Sequence, residues 1–148
     1  MLFRIVANCW LETQSKNTLD RLTIIFFNHI TLNHGSSTKQ IDHVLVSRYG
    51  VFVIETKNYK GWIFANPKHD SWTQVLFRAK FKFQNPIHQN LRHVNAVKEL
   101  LDFLPEHAIK SAVVFTGVAE FKSDLPTGVY ILPNCWHIWK AIQKNLCL

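Results

Sequence analysis

Two neighbouring segments with the composition of β-strands constrain the fold of this chain more than any other feature. The stretches "QIDHVLVS" (40–47) and "VFVIETK" (51–57) are rich in β-branched and apolar residues, and "RYG" between them supplies a tight turn. Such a turn pairs Val46 with Val51 in an antiparallel hairpin. The sequence therefore predicts a hairpin whose second strand is apolar at first and charged at its end.

The second strand ends in a carboxylate, Glu55, and an ammonium group, Lys57. Because side chains alternate along a strand, these two residues share one face with the apolar residues that precede them at even spacing. The hairpin register places Asp42 opposite Glu55 and Gln40 opposite Lys57, with Cβ atoms about 5 Å apart. Two facing carboxylates repel each other unless they are solvated, one is protonated, or a cation lies between them.

A pair of facing acids suits a hard divalent cation, so we expect Mg²⁺ (or Mn²⁺) as a cofactor bound by Asp42 and Glu55. Lys57 would hold a phosphate oxygen or orient the attacking water, and the reaction that this chemistry suggests is phosphodiester hydrolysis. The alternative is a strand-end salt bridge without a catalytic role, because an Asp followed at a distance by ExK is a common pattern.

The charge of the chain indicates a polyanionic partner, and we expect DNA. The 148 residues include 17 Lys or Arg and 10 Asp or Glu, although a surface that is basic only for solubility would have the same composition. In "RAKFKF" (78–83), cations alternate with apolar residues, which suits either a phosphate backbone or a solvated edge strand. The predicted nucleic-acid contacts are Lys60, Arg78, Lys80 and Lys82.

Several classes of protein are disfavoured. No apolar run approaches the roughly 20 residues needed to cross a bilayer, and "MLFRIVANCW" is too short and too interrupted for a secretory signal, so no membrane partner is expected. Three cysteines without regular spacing favour a reducing, cytoplasmic location. The chain contains neither a Gly-rich phosphate loop nor an HExxH motif, which argues against an NTPase and a histidine-based metal site.

The remaining segments predict an α/β fold with a mixed central sheet flanked by helices. We expect helices at 12–22, 85–104 and 134–146, the second of which begins with Asn85 as N-cap and Pro86 at the first helical position. Further strands are expected at 23–32, 61–65, 72–77, 109–117 and 128–132. The apolar face of the second helix is predicted to comprise Ile87, Leu91, Val94, Val97, Leu101 and Leu104.

Several separated motifs resemble those of the NERD (nuclease-related domain) family. They are QID, GVFVIETKN and GW within residues 40–62, then Trp72, and then NPxxQ at the start of the long helix. The resemblance runs from about Asn28 to about Phe115, which is more than half of the chain. It implies a restriction-endonuclease-like architecture and a nuclease centre that depends on Mg²⁺.

Carried over residue by residue, the resemblance implies a catalytic set of Asp42, Glu55, Lys57, Gln40 and Gln89. Family members usually have a Gly-Glu pair on the first helix, and this sequence has none; Glu12 is the nearest candidate by spacing. We therefore expect a single NERD-like domain over residues 1–148, with residues 1–22 poorly matched. The alternative function is a non-catalytic nucleic-acid-binding or protein-interaction module that retains the nuclease fold.

Overall fold

The computed structural model describes residues 25–34, 37–47 and 49–131. These residues form nine strands, one α-helix and a short 3-10 helix at Glu106–Ala108. In chain order the elements are β1 (Ile25–His34), β2 (Ser37–Ser47), β3 (Gly50–Lys57), β4 (Gly61–Phe64), β5 (Ser71–Leu76), β6 (Ala79–Gln84), α1 (Pro86–Leu100), β7 (Ile109–Phe115), β8 (Ala119–Phe121) and β9 (Val129–Ile131).

The strands form two mixed sheets, which confirms the α/β class but not the single central sheet. One sheet has the order β1-β2-β3-β7-β9 and the other has the order β6-β5-β4-β8. Strand β8, which was not predicted, pairs in parallel with β4, a contact between distant parts of the sequence that local patterns do not reveal. Within the described ranges α1 is the one α-helix; the helices expected at 12–22 and 134–146 lie outside them. No helix in this part of the chain is long and apolar enough to cross a membrane.

The chain divides into two compact units, of which the first contains the described residues up to Ile54 together with His93–Ser111. Its hairpin has the predicted register, since Val46 pairs with Val51 and the ladder extends to His43 and Ile54. A buried core of aliphatic side chains joins β2 and β3 to the second half of α1: Ile41, Val44, Val46, Val51, Val53, Val94, Val97, Leu101, Leu104 and Ile109.

The second unit contains Glu55–Arg92 and the described residues from Ala112 onward. Strands β4, β5 and β6 form an antiparallel meander, in which Ile63 lies opposite Gln74 and Trp72 lies opposite Phe83. One face of this meander packs on a core of Ile63, Trp72, Val113, Phe115 and Val129. The Trp72 ring stacks on Phe115 with centroids 6.2 Å apart, and aromatic stacking of this kind adds to the stability that burial provides.

Helix α1 begins where the sequence predicts, because Asn85 caps it. The Asn85 side-chain Oδ1 accepts a hydrogen bond from the backbone N–H of Ile87 at 2.9 Å, and Pro86 occupies the first helical position. The same side chain has a second role, since its Nδ2 donates to the backbone carbonyls of His69 at 2.8 Å and Pro67 at 3.2 Å. Asn85 thus ties the β4–β5 loop to the start of the helix.

The predicted apolar face of α1 is wrong at one position. Leu91 is 52% exposed, and Asn90 is fully buried in its place. The buried positions Asn90, His93, Val94 and Val97 follow helical spacing, so the buried face includes Asn90 in place of Leu91 at this turn. The reason is polar: the Asn90 Nδ2 donates to the backbone carbonyl of Ala112 at 3.1 Å, which anchors this side of the helix to β7.

Substitution of Asn85 by Asp tests the two roles of this residue. Asp is as good an N-cap as Asn, but it lacks the Nδ2 donor and places a second oxygen against the carbonyls of Pro67 and His69. We expect Asn85→Asp to lower the free energy of unfolding by about 1–3 kcal/mol in a urea titration. The matched control is Asn95→Asp, at an exposed position of the same helix, where a small effect is expected. Equal effects of the two substitutions would contradict the tether.

Candidate active site

The end of β3 holds an ion pair between Glu55 and Lys57. The Lys57 Nζ donates to the Glu55 Oε1 at 2.6 Å, and the carboxylate side chain is 2% exposed while that of the lysine is 19% exposed. The contact confirms that the two side chains lie on one face of the strand, as the alternation of side chains predicts. A buried carboxylate is costly unless a cation and hydrogen bonds compensate it, so Lys57 stabilises the charge of Glu55.

Gln89 of helix α1 joins this ion pair. The Lys57 Nζ also donates to the Gln89 side-chain Oε1 at 3.1 Å. Gln89 lies in the first turn and a half of α1, and its backbone N–H donates to the Asn85 carbonyl at 3.0 Å. The cap that starts the helix therefore also determines where this amide lies. We name Glu55, Lys57 and Gln89 together the ExK cluster.

The backbone after β3 is held in place by close contacts within the second unit. The carbonyl of Lys57 accepts a hydrogen bond from the backbone N–H of Thr116 at 2.9 Å. The next residue, Gly117, lies so close to the carbonyl oxygen of Tyr59 that a Cβ atom at this position would collide with it. The Tyr59 ring in turn packs on Phe83 with centroids 4.6 Å apart. The ExK cluster is thus built on a backbone with little freedom to move.

Asn90 is a site-positioning residue that sequence reasoning missed. It is fully buried next to Gln89 in the chain, and its hydrogen bond to Ala112 holds this turn of the helix on β7. The available signal was its spacing, because Asn90 lies three, four and seven residues before His93, Val94 and Val97. An asparagine at a core position of a helix indicates a buried hydrogen bond.

Asp42 and Gln40 lie on β2, in the first unit. Gln40 is exposed and pairs with Thr31 of β1. Asp42 is half-buried and immediately precedes His43, the first residue of β2 in the observed ladder with β3. The facing of Asp42 and Glu55 stays a prediction, and Glu12 lies outside the described residues.

The backbone across from Asp42 has an unusual conformation. The ladder between β1 and β2 pairs Asn28 with His43 and Ile30 with Ile41, and His29 lies between these two pairs on β1. His29 has a φ of 50°, in the left-handed region that residues other than glycine rarely adopt. Backbone strain of this kind costs free energy and concentrates at functional sites.

The four predicted nucleic-acid contacts are all exposed. Lys60 lies in the β3–β4 connection, and Arg78 lies in the tight turn between β5 and β6. Lys80 and Lys82 lie on β6, which is the edge strand of the four-stranded sheet. Their role as contacts to nucleic acid stays a prediction, because lysines also protect exposed sheet edges from pairing.

The Glu55 carboxylate fits a hard divalent cation. It is an oxygen ligand of the kind that Mg²⁺ and Mn²⁺ prefer, and Mg²⁺ needs only one or two carboxylates from a protein. Residues 25–34, 37–47 and 49–131 contain no group of three or more His, Cys, Asp or Glu that could hold a metal ion.

Comparison with known proteins gives one family and one curated relative. A family model described as "Nuclease-related domain" (NERD) matches residues 4–116, a range that includes all nine predicted site residues. An uncharacterized protein of Bacillus anthracis is 44% identical over 86 residues, which is 57% of this chain. The aligned part spans 40% of that protein's length. No solved structure matches the chain.

The unequal burial of the ion pair predicts unequal effects of removing either partner. Lys57→Met leaves the buried carboxylate without its ammonium and should cost about 3–5 kcal/mol of unfolding free energy. Glu55→Gln should cost less, about 1–3 kcal/mol, because the partly exposed ammonium can reach water. Urea titrations of both variants and of the double variant measure this coupling as a double-mutant cycle. Additive effects would show that the contact contributes nothing to stability.

Proposed function

The chain belongs to the nuclease-related domain family, and from this premise we propose that it is a divalent-metal-dependent nuclease that hydrolyses phosphodiester bonds in DNA. The observation that carries the proposal is the ExK cluster: a buried glutamate and a lysine on one strand face, 2.6 Å apart, with Gln89 on the same ammonium. A surface salt bridge would need neither the burial nor the third residue. The proposal includes a restriction-endonuclease-like arrangement of the fold.

We assign Asp42 and Glu55 as ligands of Mg²⁺ or Mn²⁺. Support comes from the hairpin register, which was predicted with these two acids opposite each other and which is observed from Ser47 with Gly50 to His43 with Ile54. The strained His29 next to Asp42 in the β1–β2 pairing adds a second, independent sign of function at this position. When bound, such an ion lowers the pKa of a water molecule and neutralises charge that develops on the phosphate.

Lys57 acts as the positioning cation of the site. Its ammonium group is a compact point charge with three donors, of which the structure shows one directed to Glu55 and one to Gln89. A lysine held at two points is preorganised to donate to a phosphate oxygen or to the attacking water. Gln89 therefore orients Lys57, and Gln40 is assigned as a further polar neighbour on the evidence of the family motif alone.

Exposed cations would hold the DNA backbone in this proposal. Lys60, Arg78, Lys80 and Lys82 fall in a stretch with a strong excess of basic residues, and phosphate contacts of this kind position a substrate without reading its sequence. The proposal locates the activity in the cytoplasm, where irregularly spaced cysteines stay reduced.

One observation favours the alternative, a nucleic-acid-binding or protein-interaction module without turnover. The Lys57 ammonium already neutralises one oxygen of Glu55 at 2.6 Å, as a purely structural pair at the end of a strand would do. In that case the family fold is retained and the chemistry is absent.

Cleavage assays with supercoiled plasmid and with single-stranded DNA, in titrations of Mg²⁺ and Mn²⁺, separate the two functions. We expect metal-dependent cleavage that EDTA abolishes and that Glu55→Gln lowers by roughly 100-fold or more, because a ligand of the metal ion that would neutralise charge in the transition state is lost. Glu106→Gln, the same change at an exposed position, is the matched control and should cleave like the wild type. Cleavage that survives Glu55→Gln would overturn the assignment, and binding without cleavage would favour the alternative.

Asp42→Asn distinguishes a ligand from a structural acid. If Asp42 is a metal ligand, its carboxylate is repelled by the neighbouring Glu55 carboxylate when no metal is bound. Asp42→Asn removes this repulsion, so the metal-free variant should be as stable as the wild type or more stable. If Asp42 is instead the partner of a salt bridge, Asp42→Asn removes that contact and lowers the free energy of unfolding. Thermal unfolding in EDTA measures the difference, and a clear loss of stability in Asp42→Asn would contradict the ligand role.

A further inference from the structure

Among residues 25–34, 37–47 and 49–131, no hydrophobic core is described on one face of the four-stranded sheet. Along β4, Ile63 points to the buried core, while Trp62 and Phe64 point the other way and are 48% and 44% exposed. The alternation places Thr73 and Val75 of β5 and Lys80 and Lys82 of β6 on the same side as these two aromatic residues. We name Trp62, Phe64, Thr73, Val75, Lys80 and Lys82 the open face.

The open face consists of two parallel rows, each of which runs across three strands. Trp62 pairs with Val75, which pairs with Lys80, and Phe64 pairs with Thr73, which pairs with Lys82. Each row therefore has an aromatic ring on β4, a small side chain on β5 and an ammonium group on β6. Alternate residues of a strand lie about 7 Å apart, so the two rows are about 7 Å from each other. Neighbouring strands lie about 5 Å apart, so within a row the ring on β4 and the ammonium group on β6 are about 10 Å apart.

Two exposed aromatic rings on one strand face indicate an interaction surface. Single exposed apolar side chains are ordinary, and Phe77 and Phe81 are exposed as well, but Trp62 and Phe64 lie two residues apart on β4 and so project from the same face. Stabilisation of the fold does not require them there, because the core of this unit lies on the opposite face.

The charge around the open face indicates what the rings bind. Over residues 55–92 and 112–131, which the structure describes in the second unit, eight Lys or Arg stand against four Asp or Glu. The cations on the open face itself are lysines, which protein–protein interfaces disfavour but phosphate groups accept. A polyanion with flat apolar groups matches both the rings and the charge.

We propose that the open face binds single-stranded nucleic acid, with two successive bases stacked on Trp62 and Phe64 and the phosphates contacted by Lys80 and Lys82. The inference deepens the proposed function, on which it rests for the choice of a nucleic acid as partner. Duplex DNA does not fit, because its bases are already stacked on each other and offer no free ring surface. An open sheet with exposed aromatic residues is a general solution for binding unpaired bases.

Lys122 contacts the open face at the Trp62 ring. Its Nζ lies 5.0 Å from the centroid of the Trp62 ring, and it also contacts Glu120 of β8. A cation–π contact at an exposed site contributes less than a base stacked on the same ring, so an incoming base displaces the ammonium group. The displaced Lys122 then remains beside the backbone of the bound strand as a further phosphate contact.

Fluorescence anisotropy in EDTA tests this surface without any cleavage. The probes are a labelled oligothymidine of about 12 nucleotides and a duplex of the same length. Trp62→Leu and Phe64→Leu should each weaken binding of the single strand about tenfold, because stacking is lost while apolar character remains. Trp62→Phe should restore most of the affinity, since it keeps an aromatic ring.

The lysines have a different signature. When log Kd is followed against log salt between about 50 and 200 mM, Lys80→Ala and Lys82→Ala should each reduce the slope by about 0.7, whereas the aromatic variants should leave it unchanged. Phe103→Ala and Lys68→Ala, which alter an exposed ring and an exposed cation outside the open face, are the matched controls and should bind like the wild type.

Three outcomes would overturn the inference: wild-type binding of the single strand by Trp62→Leu, stronger binding of the duplex than of the single strand, or loss of self-association in Trp62→Leu with unchanged DNA binding. The last would identify the face as a contact between two copies of the chain. Binding through the open face in a protein that never cleaves would leave the inference intact and refute the nuclease. Metal-dependent cleavage by a protein whose binding of single strands is unaffected by Trp62→Leu and Phe64→Leu would support the nuclease and refute the inference about the open face.

Discussion

The ion pair at the end of β3 is the interaction on which the rest of the site depends. Removal of a carboxylate from water costs several kcal/mol, and Glu55 is compensated by an ammonium from two residues further along the same strand. That partner is available only because β-alternation returns the chain to the same face at this spacing. Lys57 then reaches Gln89, so that one charged group joins the end of a strand to the start of a helix.

Polar anchors and apolar burial together determine how this helix lies. Asn85 binds the β4–β5 loop and caps α1, Gln89 binds Lys57, and Asn90 binds the backbone of β7. In the first turn Ile87 also packs against the core that contains Trp72, and the contacts with the aliphatic core begin at Val94. Hydrogen bonds therefore add to burial at the start of the helix, and one of them holds the Gln89 amide against Lys57.

The features that sequence reasoning predicted correctly are local ones. The hairpin register follows from the turn length and strand alternation, and the start of α1 follows from Asn85 and Pro86. The shared strand face of Glu55 and Lys57 follows from their spacing of two, and the contact between them was not predicted. Each of these depends on residues close together in the sequence, where steric rules and hydrogen-bond geometry leave few choices.

The features that were missed depend on distant residues. Strand β8 forms by parallel pairing with β4, and no local pattern reveals that a three-residue segment will find this partner. Leu91 was placed in the core because leucine is apolar, but the buried position of this turn is Asn90, which donates to the carbonyl of Ala112. Three further expectations come from sequence motifs and charge and stay predictions: that Asp42 faces Glu55, that a metal ion binds there, and that the exposed cations contact DNA.

The close approach of Gly117 to the carbonyl of Tyr59 has a consequence for how such chains diverge. Any substitution there must push the segment after β7 away from the segment after β3, and the hydrogen bond of Thr116 to Lys57 lies one residue away. A substitution of Gly117 would therefore also move the backbone that holds Lys57. In a related sequence, any residue other than glycine at position 117 would indicate that the backbone around Lys57 has a different geometry, even if Glu55 and Lys57 are both present.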